Sequence, residues 1–352
     1  MNRSNSRLNL KPGQPLVIGI ELNRQEIAAG LVDERARIMV ERKIDMPQRT
    51  TRSAAAAIAG LVLGLASAEE RSNCLISALG VSVPGSVDPQ TDRVSIEGWK
   101  GWRRLAIRQM IEEQLTDSGY DIRSPKDQRN ARSALSNSAH PHMVIHSRAV
   151  CLAAAESWNG AARAMDNVVY LSLDEMIEVG IIAGGQAIRG TGGHAGAASW
   201  LGLSENYKQD YQSRGCLATE ATAASFTRRA IEEWSDNSHS ILGKLIRANA
   251  PINDAEMIIR AARGGDALAA KVVVENCRWI GRGVSNLISI LNPDAVVLGG
   301  GLGKTLKPFL DVIREEARQW ASPQAVRECR IVGAVLGKEA ALIGAARLAS
   351  KF

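Results

Sequence analysis

At 352 residues, 45% of them hydrophobic and 23% charged, the chain is long enough for two domains of ordinary size and has the balance of a soluble globular protein. The net charge of +6 permits nucleic acid as a partner but is equally met by a solvated surface with a few extra arginines. No apolar run nears the roughly 20 residues of a membrane span, the polar opening residues lack a secretory core, and the five scattered cysteines form no CxxC or Cys/His cluster.

These exclusions lead us to expect a cytoplasmic protein without a disulfide framework. After about a dozen polar residues, "PLVIGIELNRQEIAAGLVDERARIMVERKIDMP" alternates apolar runs with short polar turns, the pattern of a three-stranded meander. An Ala-rich helix, "TRSAAAAIAGLVLGLASAEE", leads to a buried strand and a Pro-Gly turn in "CLISALGVSVPGSVDP". A second helix, "LAIRQMIEEQL", precedes an irregular polar stretch over 116–140. There Arg123, Lys126, Arg129 and Arg132 recur at every third residue or so, which gives either a solvated insertion or a docking surface for an acidic partner. The strand "HMVIHS" and the helix "RAVCLAAAESWNGAAR" follow, then a second meander, "NVVYLSLDEMIEVGIIAGGQAIRG". The chain closes with a long helix around "VVVENCRWIGRGVSNLISILN", a strand "DAVVLGGG" and a last helix, "KEAALIGAARLASKF". The two meanders look alike, with Glu21 and Asp174 at matching places, which implies duplicated βββαβα domains facing one another across a cleft.

In this order and spacing, "IGIE…IAAGLVD", "GVSVPGSVDP", "GWKGWRRLAIR", "RGTGGHAG", "RGCL", "NPDAVVLGGGLG" and "LGKEAALIGAARLA" resemble the ROK family of repressors and sugar kinases. The resemblance implies an α/β fold of two actin-like lobes, as in hexokinase and the chaperone ATPases. It divides the chain into a polar extension (1–14), an N-terminal lobe (15–147), a C-terminal lobe (148–335) and a helix (336–352) packing back on the first lobe. It also implies a homodimer.

The resemblance fails at the positions that carry chemistry. The family's first phosphate turn, Asp-x-Gly-Gly-Thr, is here Glu21, Leu22, Asn23, Arg24 and Gln25, so the glycines that admit phosphate are gone and Asn23 and Arg24 would fill its room. The family's catalytic Asp falls at Arg148 of "HSRAV" (His146, Ser147, Arg148), and a guanidinium cannot accept a proton. One alternative base remains: if the strand continues, His146 shares a face with Arg148, whose charge would keep the imidazole neutral. Sugar-contacting positions fall at Gly98 and at Gly196, Ala197, Ala198, Ser199 and Trp200, with His194 just before them. Of the zinc cysteines only Cys216 remains, with Gln209 and Tyr211 at the other places.

The second phosphate turn is "DEMIE", with Asp174, Glu175 and Glu178. One carboxylate roughly 5 Å from a phosphate charge is repelled by about 3 kcal/mol at an effective dielectric near 20. Such a turn is tolerated if it is open to water or faced by Arg148 or Arg24. Gly299, Gly300 and Gly301 would lie beside adenosine in a working relative; here they read as a strand-to-helix turn.

The expectation is therefore a pseudokinase with no ATP, magnesium or zinc, which binds a small carbohydrate-like ligand or a protein partner and contacts neither nucleic acid nor membrane. Two alternatives stand beside it. One is a transcriptional regulator of the same family acting without its own DNA-binding domain, since only about fifteen residues precede the first strand. The other is an active sugar kinase with a rebuilt site, using His146 as base and Glu21 as magnesium ligand.

Overall fold

The opening apolar runs become a sheet whose central strand is covered on both faces. In the protein's computed structural model, the described residues are 15–47, 50–70, 75–120, 141–174, 176–234, 240–248 and 254–350. Strands β1 (Pro15–Leu22), β2 (Glu26–Val32) and β3 (Ile38–Asp45) form the antiparallel meander. β1 also pairs in parallel with β4 (Leu75–Val83), and β4 with β7 (His142–Ser147), in the order β3-β2-β1-β4-β7; the short hairpin of β5 (Ser86–Val87) and β6 (Val94–Ser95) stands apart from it. Every residue of β1 except Pro15 is buried, which is why its sequence runs apolar instead of alternating. β3 is the edge, and its "ERK" charges discourage pairing with another chain.

Helices α1 (Thr51–Glu70) and α2 (Ile107–Asp117) contribute Ile58, Val62, Leu65, Ile107, Ile111 and Leu115 to the core of this unit, together with Trp99 and Trp102. The last helix, Ala340–Ala349, lies against the same sheet through Leu342, Ala346 and Ala349. Its approach is close enough that a Cβ on Gly80 would strike the Ala345 carbonyl, so only glycine fits there. The buried Glu156 of the helix Arg148–Asn159 accepts the Ala161 and Leu336 amides at 2.6 and 3.0 Å, tying that helix to the chain entering the last one.

A second sheet repeats the plan. β8 (Val168–Leu173) and β9 (Ile177–Ala183) are antiparallel, while β11 (Ala295–Gly299) joins β8 and β12 (Arg330–Gly333) in parallel. With β10 (Gln186–Ala187) the order is β10-β9-β8-β11-β12, the counterpart of the first sheet. The long helix Ala267–Leu291 packs Val272, Val273, Ile280, Val284 and Ile288 into its core.

The chain divides into two compact units: residues 1–164, 187–195 and 336–352 in one, and 165–186 and 196–335 in the other. The boundary expected at 147/148 therefore moves to 164/165, because the helix Arg148–Asn159 packs on the last helix. Among the described residues no helix is long and apolar enough to cross a membrane. Residues 121–140 of the polar insertion, with all four of its recurring basic residues, lie outside the described residues.

Candidate functional site

Three parallel strands bring Glu21, Ser82 and His146 into one row at their C-terminal ends, since Glu21 pairs with Ser82 in register and Ser82 with His146. In open α/β sheets this is the end at which ligands bind. Glu21 is buried, and Arg148, the first residue of the next helix, donates from Nε to Glu21 Oε1 at 3.2 Å. Burial raises the Glu21 pKa, opposed by the charge and hydrogen bond of Arg148. The position expected of a general base thus holds a cation, and that cation neutralises the carboxylate of the first strand.

His146 does not fill the vacancy. Among the described residues its buried Nδ1 has no hydrogen-bond partner, and its pKa is pushed down to about 3 by burial first and by the Arg189 charge second. The strand ends at Ser147, so His146 and Arg148 do not share a strand face, and the cation felt by the imidazole is Arg189. So weak a base lies far from the operating pH that proton abstraction favours. Ser82 Oγ is likewise buried, beside the Cys151 thiol, whose pKa burial raises to about 12 against the opposing hydrogen bond with Ser82, which leaves the thiol inert.

The first turn closes on itself. Asn23 Oδ1 accepts the amides of Gln25 and Glu26 at 2.8 and 2.9 Å, an Asx turn. Asn23 was expected to crowd out a phosphate; instead it engages the turn's own amides, while Arg24 is exposed.

In the second unit, Asp174 accepts the Ser172 hydroxyl at 2.9 Å and the Gly301 amide at 2.7 Å. Gly300 has φ +78, and a Cβ there would meet the Leu173 carbonyl and the Asp174 carboxylate. The Ser172 hydroxyl and the glycine turn thus hold this carboxylate, beside the expected alternatives of open water or a facing Arg148 or Arg24. The expected equivalence of Glu21 and Asp174 also shifts. The last pairs before each turn are Leu22 with Ile27 and Leu173 with Ile177, so Asp174 matches Asn23, and Glu21 matches Ser172. Glu178 lies exposed on β9 opposite Ser172; Glu175 lies outside the described residues.

Gly98, with φ +74, precedes Trp99, which packs edge-to-face on the fully buried Trp102 with centroids 5.3 Å apart. Ser199 is turned inward: its Oγ donates to the Ile177 carbonyl at 2.7 Å and accepts the Ile177 amide at 3.2 Å. Gly196 accepts the Val179 amide at 3.1 Å, so this segment is fastened to β9 by its backbone. Ala197, Trp200 and His194 are exposed.

The segment with zinc-site resemblance is held by charge. Tyr211 donates its hydroxyl to Glu220 Oε1 at 2.8 Å, Lys208 reaches the same oxygen at 2.6 Å, and Arg228 and Arg229 each reach Oε2 at 2.6 Å. Burial alone would raise the pKa of Glu220, but hydrogen bonds from Lys208, Tyr211 and Arg228 outweigh it and hold the carboxyl at about 2. Cys216 Sγ accepts the Leu203 amide at 3.4 Å, and Gln209 bonds Gln212 at 2.9 Å. Among the described residues, no group of three His, Cys, Asp or Glu could hold a metal ion. Sequence reasoning missed Glu220; the only signal was an acid followed two helical turns later by "RR".

Comparison with known proteins places this geometry among relatives. The model of the ROK family matches residues 121–352. The glucokinase of Streptomyces coelicolor is 27% identical over 355 residues, covering 95% of this chain and 97% of that one. A Streptomyces griseus ROK glucokinase, solved with glucose and AMPPNP, superposes with a TM-score of 0.68 at 26% identity, over 95% of this chain and 98% of that one. A ROK family transcriptional regulator described as a homologue of Escherichia coli Mlc superposes with a TM-score of 0.75 at 18% identity, over 96% of this chain and 78% of that one.

Proposed function

The chain belongs to the ROK family, with the actin-like fold of its sugar kinases, and we propose that it is a catalytically inactive member that acts by recognition. The observation that carries this reading is the Arg148–Glu21 pair at 3.2 Å. Sugar phosphorylation needs a group that takes the proton of the attacking hydroxyl, and Arg148 cannot take one. His146 is too weak a base and its Nδ1 is buried. In the first turn Asn23 takes the turn's own amides, and at the second Asp174 takes the Gly301 amide of the glycine turn. A phosphate would have to displace an internal oxygen from each, and at Asp174 would also meet a negative charge.

The ligand in this reading is small and carbohydrate-like, bound without ATP, magnesium or zinc, and the functional unit is a cytoplasmic homodimer that signals to a protein partner. A regulatory role is supported by the repressors among the sequence relatives, 22% identical over 84% of this chain. Titration calorimetry with ATP and magnesium is expected to give no binding heat, while a sugar screened by thermal shift raises the melting temperature. ATP binding at micromolar concentration would overturn the reading.

A further inference from the structure

Within the second unit, residues of three helices build four layers of alternating charge and aromatic ring. The Arg229 guanidinium lies 5.7 Å from the centre of the Trp279 ring, Arg282 lies 5.2 Å from the same ring, and Arg282 lies 5.7 Å from Trp320. The buried Glu316 fixes the outer layers: one oxygen accepts Arg282 Nε at 2.8 Å and Trp320 Nε1 at 2.9 Å. Trp279, Arg282 and Asn286 share one side of the long helix by their spacing, as Glu316 and Trp320 do on theirs. The stack ends at Trp320, which is 63% exposed yet held in place.

Beside it is a groove of about 690 Å³, within the range of small-molecule sites. Its other wall is the segment 202–206 with Asn286. Among the described residues, neither the Asn286 amide nor the Glu205 carboxylate has a protein hydrogen-bond partner. The nearby cation, Arg282, is already neutralised by Glu316.

We propose that this groove is a ligand site for an uncharged pyranose, separate from the strand-end row. An indole face is electron-rich and attracts the weakly positive C–H face of a sugar ring, as it attracts the positive edge of another aromatic ring. A fixed plate loses little side-chain entropy on binding. The amide of Asn286 can both donate to and accept from ring hydroxyls, and Glu205 accepts from them. The unpaired carboxylate disfavours phosphorylated sugars. The concave, polar-walled shape favours a small hydroxylated ring over the flat contact of a second copy.

The test is a titration of the ¹⁵N-labelled protein with glucose, following indole N–H resonances, with Trp320 identified by its loss in Trp320→Phe. The Trp320 resonance is expected to move saturably, with half-saturation in the millimolar range. Trp320→Ala weakens binding at least tenfold, read through Trp279, and glucose 6-phosphate binds no better than glucose. Sugar bound in the first unit would instead move Trp99 or Trp102, so loss of one site is distinguishable from loss of the other. An unmoved Trp320 resonance overturns the proposal. So does one that follows protein concentration instead of glucose, which would mark a contact between copies, or tenfold tighter binding of the phosphate.

Discussion

Replacing Glu220 by glutamine removes a charge from the centre of four donors while keeping the side chain's shape. A carboxyl held at about 2 instead of its ordinary 4.5 stabilises the folded chain by about 3 kcal/mol at neutral pH. The general cost of breaking a buried ion pair, about 3–5 kcal/mol, agrees. In the variant the buried Arg229 keeps neutral acceptors, among them the backbone carbonyl of residue 220 and Asn276 Oδ1, but loses the charge of its carboxylate partner. For a unit of this size, about 3 kcal/mol corresponds to a fall in Tm of roughly 6–12 °C. Because the folded pKa is depressed, the contribution is fully present above the ordinary value of 4.5 and is lost as pH falls toward about 2. Calorimetric unfolding of both proteins between pH 7 and pH 3 is the assay. The gap in Tm is expected to be widest at pH 7 and to narrow below pH 4.5. A variant that melts within 2 °C of the parent at pH 7, or a gap that does not narrow in acid, would refute the staple role of Glu220.

Treatment with EDTA is expected to leave the Tm unchanged, since Glu220 and its cations hold the segment around Cys216; a fall of several degrees would point to a structural metal. The His146 ring, with its pKa depressed to about 3, should show flat ¹H NMR shifts from pH 8 to pH 5. Because the unfolded imidazole titrates near 6.5, stability owed to the neutral ring declines as pH falls below that value, and a titration midpoint above 5 would contradict the burial. Arg148→Asp alone should not create nucleotide binding, because Asn23 and Asp174 still occupy their turns; calorimetric ATP binding by that single variant would disprove the self-filled turns. Asp174→Ala should speed hydrogen exchange of the Gly301 amide at least tenfold, and unchanged protection would show that the 2.7 Å bond is not its main partner.

Local signals carried most of the fold. "HMVIHS" is the strand His142–Ser147, and the Ala-rich run is the helix Thr51–Glu70, because each has a clean period bounded by turn residues. The repeat of the two meanders was equally visible, yet its alignment slipped. Matching the acids placed Asp174 on Glu21, whereas strand pairing places it on Asn23, since a turn's register is set by cross-strand partners that a sequence does not display. The boundary at Ala164 was hidden for a related reason: the helix after Arg148 joins the first unit through the last helix, nearly two hundred residues away. That the proposed base position holds an arginine, Arg148, was legible from the residues alone. Its pairing with Glu21, the role of Arg189 beside His146, and the Glu220 cluster each depend on contacts between distant segments.

Phosphoryl transfer is the chemistry that decides the account. The purified protein, with ATP and magnesium, should be incubated with glucose, mannose, N-acetylglucosamine and N-acetylmannosamine and the sugar phosphates counted by mass spectrometry. With Arg148 at the base position, the expected yield is that of the enzyme-free control for every sugar. Formation of any hexose phosphate above that control, abolished by His146→Ala, would contradict the inactive reading and establish the buried imidazole as the base.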